Sequence, residues 1–303
     1  MSVVTAPEEV VGRLAPPRRK APKRRWTPVV LRGYTILVIV YLILPIALMI
    51  MYSFNRTAAE RVVLKWQGFT TEWYHPGALF AIGDLTAALK LSIEIAVFST
   101  IVATILGTAI ALALVRYRFR GRGIAEVVMF LNIAAPEIVV GAALLSFFVT
   151  LNVPRGFWTI FISHVMFNIA FVVVTVRARL AGYDTLVEDA AQDLYAGPWT
   201  TFRKVTLPLI YPGILAGALL AFALSIDDFV ITNFVAGTDT TFPLWVYGSA
   251  KVGTPPQVFV MGTLIFVGGV ILALISFTLQ TKKGRAEEAD RRASSAAVRR
   301  AGR

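Results

Sequence analysis

Cysteine is absent from this 303-residue chain, and only two histidines occur, His75 and His164. Disulfides, zinc thiolate sites and thiol chemistry are thereby excluded, and two histidines far apart in sequence leave little for a histidine-based metal site. Charge is scarce: Asp, Glu, Lys and Arg make up 16% of the residues, against 56% hydrophobic ones. An average soluble domain carries about a quarter charged residues, so this composition describes an integral membrane protein. No Gly is followed by Lys, so the G-x-x-x-x-G-K-[ST] loop that cradles nucleotide phosphates is missing. No Ser/His/Asp set stands out either. His75 falls in a loop, and His164 sits within an apolar run, where a lone histidine typically bonds a neighbouring helix. The residues do not describe an enzyme. Basic residues outnumber acidic ones by 30 to 18, yet they cluster at the two ends and in particular loops. They do not interleave with aromatics as on a nucleic-acid-binding face.

What is present is a set of apolar runs at roughly 33–53, 89–115, 124–150, 157–177, 209–236 and 257–280. Each approaches the twenty or so residues needed to cross a hydrocarbon core of about 30 Å, which predicts an all-α integral membrane protein of six transmembrane helices. Alternate sides of these spans differ in charge. Segments 1–32, 116–122, 177–204 and 282–303 hold 24 of the 30 Lys and Arg, and the other side holds Arg56, Arg61, Lys65, Lys90, Arg155 and Lys251. The positive side faces the cytoplasm, so both termini are expected there. Residues 1–28, rich in Pro, Arg and Lys, are expected to be a disordered basic cytoplasmic N-terminus. No small-residue cleavage site follows the first apolar run, so it is expected to be retained as a span. Residues 29–281 form one transmembrane domain, and 282–303 form a basic cytoplasmic tail near anionic lipid. Trp66, Phe69, Trp73 and Tyr74 between the first two spans mark an interfacial aromatic belt. No internal repeat with a period of 20–50 residues is present. A six-span chain commonly encloses a path only with a second copy or a homologue, which implies a dimeric assembly.

The cytoplasmic segment 183–208 interrupts two strongly apolar runs. Thr185-x-x-Glu188 is a capping box, and Val187, Ala190, Ala191 and Leu194 recur at helical spacing as one apolar face, with Glu188, Asp189, Gln192 and Asp193 elsewhere around the cylinder. Gly197-Pro198 stops that helix and opens a second short one. By pattern alone this is either a solvated connector or a docking element. The residues resemble the EAA loop of ABC importer permeases, in which Glu-Ala-Ala is followed by a Gly and a downstream Leu-Pro. Asp189-Ala190-Ala191 and Leu207-Pro208 fit that pattern. Asp189 stands where the family usually has Glu, and Tyr195 where it usually has Gly, with Gly197 two residues later. The resemblance implies the ABC importer permease (MetI-like) fold. It also implies a coupling helix whose contact with a cytoplasmic ATPase involves Glu188, Asp189, Ala190, Ala191, Leu194, Tyr195, Gly197 and Pro198.

Acidic residues at membrane depth cost a few kcal/mol each on insertion scales and tend to face a bundle interior or water. Glu94 lies one turn from Lys90, as for an ion pair near the outer surface. Glu137 follows Pro136 in the third run, where the proline kinks the helix. Asp227 and Asp228 lie in the outer half of the fifth, and at 100° per residue Asp228 shares a face with Ser225 and Thr232, with Asp227 pointing well away. The path candidates are therefore Asp228, Asp227, Glu137, Ser225 and Thr232, with Asp228 preferred to Asp227. Either these groups line a cation path or they only hold the bundle together. The spans carry no mid-membrane Lys or Arg to neutralise them, which favours a cation.

Ser225–Ile265 resembles the polyamine (spermidine/putrescine) subgroup of these permeases through Asp227-Asp228, Phe234-x-x-Gly237, Pro243-Leu244 and Gly253-x-Pro255. Pro136-Glu137-Ile138-Val139 with Gly141, and Trp66-Gln67-Gly68-Phe69-Thr70 with Trp73-Tyr74, fit as well. The similarity runs from about residue 35 to 280, and permeases for iron, sulfate and other small solutes share much of it. The implied function is the permease subunit of an ATP-driven polyamine importer in a bacterial cell membrane. Its implied partners are a second permease subunit, two ATPase subunits that hold ATP-Mg, and an extracytoplasmic solute-binding protein; no cofactor is expected on this chain. A same-family importer of another solute, such as a metal ion or quaternary amine, and a non-transporting membrane scaffold or receptor are the alternatives. From the charge asymmetry, reporters fused after residue 30 and after residue 285 should both read out cytoplasm, and opposite locations would refute the six-span topology.

Overall fold

A computed structural model describes residues 27–57, 65–182 and 186–301. The segment expected to be disordered, 1–28, lies outside these residues apart from its last two, as does Thr185 of the expected capping box. The described chain is helical: α1 (Thr27–Ser53), α2 (Pro76–Leu79), α3 (Gly83–Arg116), α4 (Arg122–Ala134), α5 (Glu137–Thr150), α6 (Phe157–Ala181), α7 (Leu186–Asp193), α8 (Pro198–Thr201), α9 (Leu207–Ile226), α10 (Val230–Val235), α11 (Phe242–Val252) and α12 (Pro256–Ala301). A π turn at Phe202–Thr206 joins α8 to α9. Residues 1–48 and 49–303 form separate units. The first contains most of α1, an apolar helix that accommodates Pro45.

Among the described residues, five stretches are long and apolar enough to cross a membrane: Val30–Ser53, Gly83–Arg116, Phe157–Ala181, Pro198–Ile226 and Pro256–Thr278. The third expected span differs. The residue before a proline is driven out of the helical region, and Ala135 is accordingly extended, so 124–150 is not one kinked helix. It is two helices, α4 and α5, meeting at 111°, and it counts as a sixth span only if this bent pair is one crossing. The fifth span also differs from expectation, because α9 stops at Ile226 and α10 starts afresh at Val230. The last helix runs on past the sixth span to Ala301.

The second unit is built on α3, α6 and α9. Their meeting is set by small residues: a Cβ on Gly107 of α3 would stand 2.7 Å from Val172 Cβ and 3.1 Å from the Ile169 carbonyl oxygen of α6. A Cβ on Gly217 of α9 would stand 3.4 Å from Val172 Cγ1. Lipid offers apolar side chains as good a solvent as protein does, so close backbone approach of this kind is what holds spanning helices together. Toward the ends of α3 and α6 that carry Arg116 and Ala181, Leu114, Val173, Val176, Leu180 and Ile210 close the packing. At the other end, Leu85, Val258, Val260 and Met261 join α2, α3 and α12.

The expected aromatic belt is partly something else. Trp73 donates to the Asn55 carbonyl at 3.0 Å, and Tyr74 stacks on Phe54 and bonds Ser53 at 2.6 Å. Both pack against the α2–α12 cluster, so they close a folded cap between the first two spans. Trp66 and Phe69 remain exposed. Lys90 and Glu94 form the expected ion pair at 3.7 Å. Gly107→Leu should force α3 off α6 and cost about 1–3 kcal/mol, read as a lower thermal unfolding midpoint in detergent, with Gly123→Leu, which meets no neighbour, as an unaffected control.

Candidate functional site

The break in the fifth span is made by a polar node. Ser225 lies on the last turn of α9, Asp228 in the break and Thr232 in the first turn of α10, and all three bond one side chain, His164 of α6. His164 Nδ1 is 2.6 Å from Ser225 Oγ, and its Nε2 is 3.2 Å from Asp228 Oδ2 and 2.9 Å from Thr232 Oγ1. A proton on Nε2 lets the ring donate toward Asp228. Ser225 Oγ bonds Ser99 Oγ of α3 at 3.0 Å, and Thr232 Oγ1 donates to Asp228 at 2.6 Å. Asp228 also accepts from the backbone N–H groups of Thr232 at 2.8 Å and Ile231 at 3.4 Å. It therefore caps α10, answering amides that an α-helix leaves without partners.

This reverses the order expected of the two aspartates. Ser225, Asp228 and Thr232 do come together, but their shared face points inward at α6, and the Asp228 side chain is 7% exposed with both of its oxygens hydrogen-bonded. Because α9 has ended, the 100° wheel no longer applies to Asp227. That residue occupies the C-cap of α9 and is exposed.

Glu137 is the counterpart of Asp227 at the other interrupted span. It opens α5 directly after the Ala135-Pro136 break and is exposed. The two breaks are drawn together because α5 packs on α10: Gly141 meets the ring of Phe234, and Leu144 and Phe148 join Phe234 and Val235 in one apolar cluster. As a result, Asp227 lies within electrostatic reach of Glu137. Exposed carboxylates at breaks in apolar spans are costly against lipid, and fit a surface lining water or a facing subunit. Broken spans that place helix ends and charged groups together are the usual build of a solute site at the bilayer midplane.

On the side of the 183–208 segment, α7 and α8 form the expected helix pair, with Gly197 as N-cap and Pro198 in the first turn of α8. Val187 and Leu194 of the apolar face, together with Leu186, Tyr195 and Trp199, are exposed, Leu194 at 82% and Tyr195 at 98%. Asp189 and Ala190 are exposed too, and Ala191 is half-buried. The departure at Tyr195 has a physical meaning. The Ala196 N–H bonds the Ala191 carbonyl and the Tyr195 N–H bonds that of Gln192, the paired bonds of a Schellman helix stop, and Tyr195 takes its left-handed position at φ +61°. Glycine adopts that conformation without strain, and a tyrosine there costs about 1–2 kcal/mol. Glu188, expected to face an ATPase, instead turns into its own chain and bonds Arg116 at the end of α3 and Thr206 Oγ1 at 2.6 Å. Arg116, Thr206, Ser99 and His164 had no place among the candidate site residues. They are ordinary polar residues within or beside apolar runs, and only contact between distant segments reveals them.

The class these features define is a multi-pass membrane permease with an exposed helix pair, α7 and α8, between two of its spans. The chain belongs to the family of binding-protein-dependent transport system inner membrane components, which matches residues 103–285. It is 38% identical over 259 residues to the spermidine/putrescine transport system permease protein PotC of Escherichia coli (strain K12), across 85% of this chain and 96% of that protein. With the putrescine transport system permease protein PotI of the same organism it shares 37% identity over 262 residues, 84% of this chain and 90% of that one. Among solved structures, a bacterial ABC transporter involved in the import of the acidic polysaccharide alginate matches with a TM-score of 0.64 at 14% identity, over 85% of this chain and 96% of that one. The bacterial alginate ABC transporter in complex with an alginate pentasaccharide-bound periplasmic protein matches at 0.60, also at 14% identity, over 84% and 93%. The fold is that of ABC importer permeases (MetI-like), and the chain is a transport subunit. His164→Ala should strip partners from Ser225, Asp228 and Thr232 at about 1–3 kcal/mol for each buried group left unpaired, seen as loss of folded protein on heating in detergent.

Proposed function

We propose that this chain is one permease subunit of an ATP-driven polyamine importer, and that Asp227 and Glu137 are its contribution to the substrate path. The observation that carries this reading is an exposed carboxylate at each of two span breaks whose following helices, α5 and α10, pack on each other, with Asp228 withdrawn into the His164 node. A diammonium or triammonium chain losing its hydration needs fixed acceptors, and ionised carboxylates bond ammonium groups about twice as strongly as neutral acceptors do. The relatives named for spermidine and putrescine transport support the same substrate class. Ser225 and Thr232 serve the path indirectly, by holding the break open.

A second permease subunit, forming a heterodimer, faces these carboxylates and closes the path. Two cytoplasmic ATPase subunits bind ATP-Mg and dock on α7 and α8 through Asp189, Ala190, Ala191, Leu194, Tyr195, Gly197 and Pro198. An extracytoplasmic solute-binding protein delivers the solute. The charge asymmetry along the chain supports cytoplasmic termini in a bacterial inner membrane. Asp227→Asn and Glu137→Gln should each weaken the apparent affinity for putrescine about ten- to a hundredfold, the loss of one charge-assisted bond of about 1.5–3 kcal/mol, in complexes that assemble normally. Uptake of labelled putrescine by reconstituted vesicles measures this. Parental uptake by both variants would remove the two carboxylates from the path.

A further inference from the structure

Of the residues of α7, Glu188 is the one that is buried. Its Oε1 accepts from Arg116 Nη2, on the last residue of α3, and from Thr206 Oγ1 at 2.6 Å. Arg116 Nη2 also donates to Thr206 Oγ1 at 3.2 Å, so the three side chains close a triangle. Thr206 is fully buried and ends the π turn that runs directly into α9. The extra residue in such a turn rotates the chain after it, and π turns recur at functional sites. One node therefore ties α7 to the ends of two helices, α3 and α9, that form the centre of the bundle.

An exposed ion pair would be worth little. Here the Glu188 side chain is 12% exposed and that of Arg116 28%, on the wall of a cleft also lined by Leu112, Gln192, Trp199 and Phe202. Pulling α7 away from the bundle would strand a largely buried carboxylate, which costs far more than stretching an apolar contact. Moving α7 together with α3 and α9 leaves the triangle intact. Val187 of α7 and, just beyond its end, Leu194 and Tyr195 are exposed.

We propose that Glu188 is a positioning residue, and that the Arg116–Glu188–Thr206 triangle transmits displacement of α7 into α3 and α9. This rests on the reading of α7 as the helix that docks on an ATPase subunit. The test uses the assembled importer in lipid nanodiscs, following backbone hydrogen exchange over residues 207–214 with and without ATP-Mg and vanadate. Glu188→Gln keeps the shape and removes the charge. It should cut the nucleotide-driven change in exchange by about fivefold or more, the lower end of typical coupling between sites, and lower putrescine imported per ATP by a similar factor. ATPase copurification should stay at the parental level. The exchanged pair Arg116→Glu with Glu188→Arg should recover part of the response, which a role in folding alone does not predict. A parental response in an ATPase-bound Glu188→Gln complex overturns the proposal, as does a parental complex whose residues 207–214 do not respond to nucleotide. Should Glu188→Gln fail to assemble, Thr206→Val decides by the same readout: the same loss upholds the role and a parental response removes it. The docking reading fails separately, if Ala191→Glu still retains the ATPase.

Discussion

The bond between His164 and the broken fifth span is the constraint on which the rest of the bundle's polar organisation depends. A helix interrupted inside a membrane exposes amides and carbonyls that lipid cannot satisfy, each at a cost of several kcal/mol. This chain answers the exposed amides of α10 with Asp228 and then answers the Asp228 charge with His164 and Thr232. Ser225 and Ser99 extend the node to α9 and α3, so all three central helices take part in maintaining one interruption. Asp228 is consumed in this way, and its neighbour Asp227 is left exposed. Of two adjacent aspartates, one supports the backbone and the other stays accessible at the break.

A second interruption makes that availability useful. Proline at 136 separates α4 from α5, and the contact of Gly141 with Phe234 seats α5 against the short helix that follows the first break. Each break leaves one exposed carboxylate, Glu137 at the start of α5 and Asp227 at the end of α9.

The α7 end of the bundle repeats the division of labour between adjacent acids. Glu188 is turned inward onto Arg116 and Thr206, and Asp189 is left exposed. The strained Tyr195 beyond them ends α7 in a geometry suited to glycine and presents a fully exposed ring beside Leu194. Local strain maintained without an internal contact to reward it is characteristic of surfaces completed by another molecule.

Much of this was legible from residue types in order. The apolar runs, the charge asymmetry of the connecting segments and the helix start at Gly197-Pro198 follow from hydropathy, charge and backbone propensity, which are properties of residues and their near neighbours. The stripe of Ser225, Asp228 and Thr232 was legible as a set, and so was the isolation of His164 in an apolar run. What helical periodicity could not supply was the direction in which that stripe faces. That depends on α9 ending at Ile226, which in turn depends on a histidine more than 60 residues earlier in the chain. The inward turn of Glu188 likewise depends on Arg116, 72 residues away, and the packing of α5 on α10 depends on two separate breaks. Propensity and amphipathicity decide which segments become helices and which sides of them are apolar. Only the packing of those helices decides which of two adjacent carboxylates is taken up by a neighbour and which is left free to act.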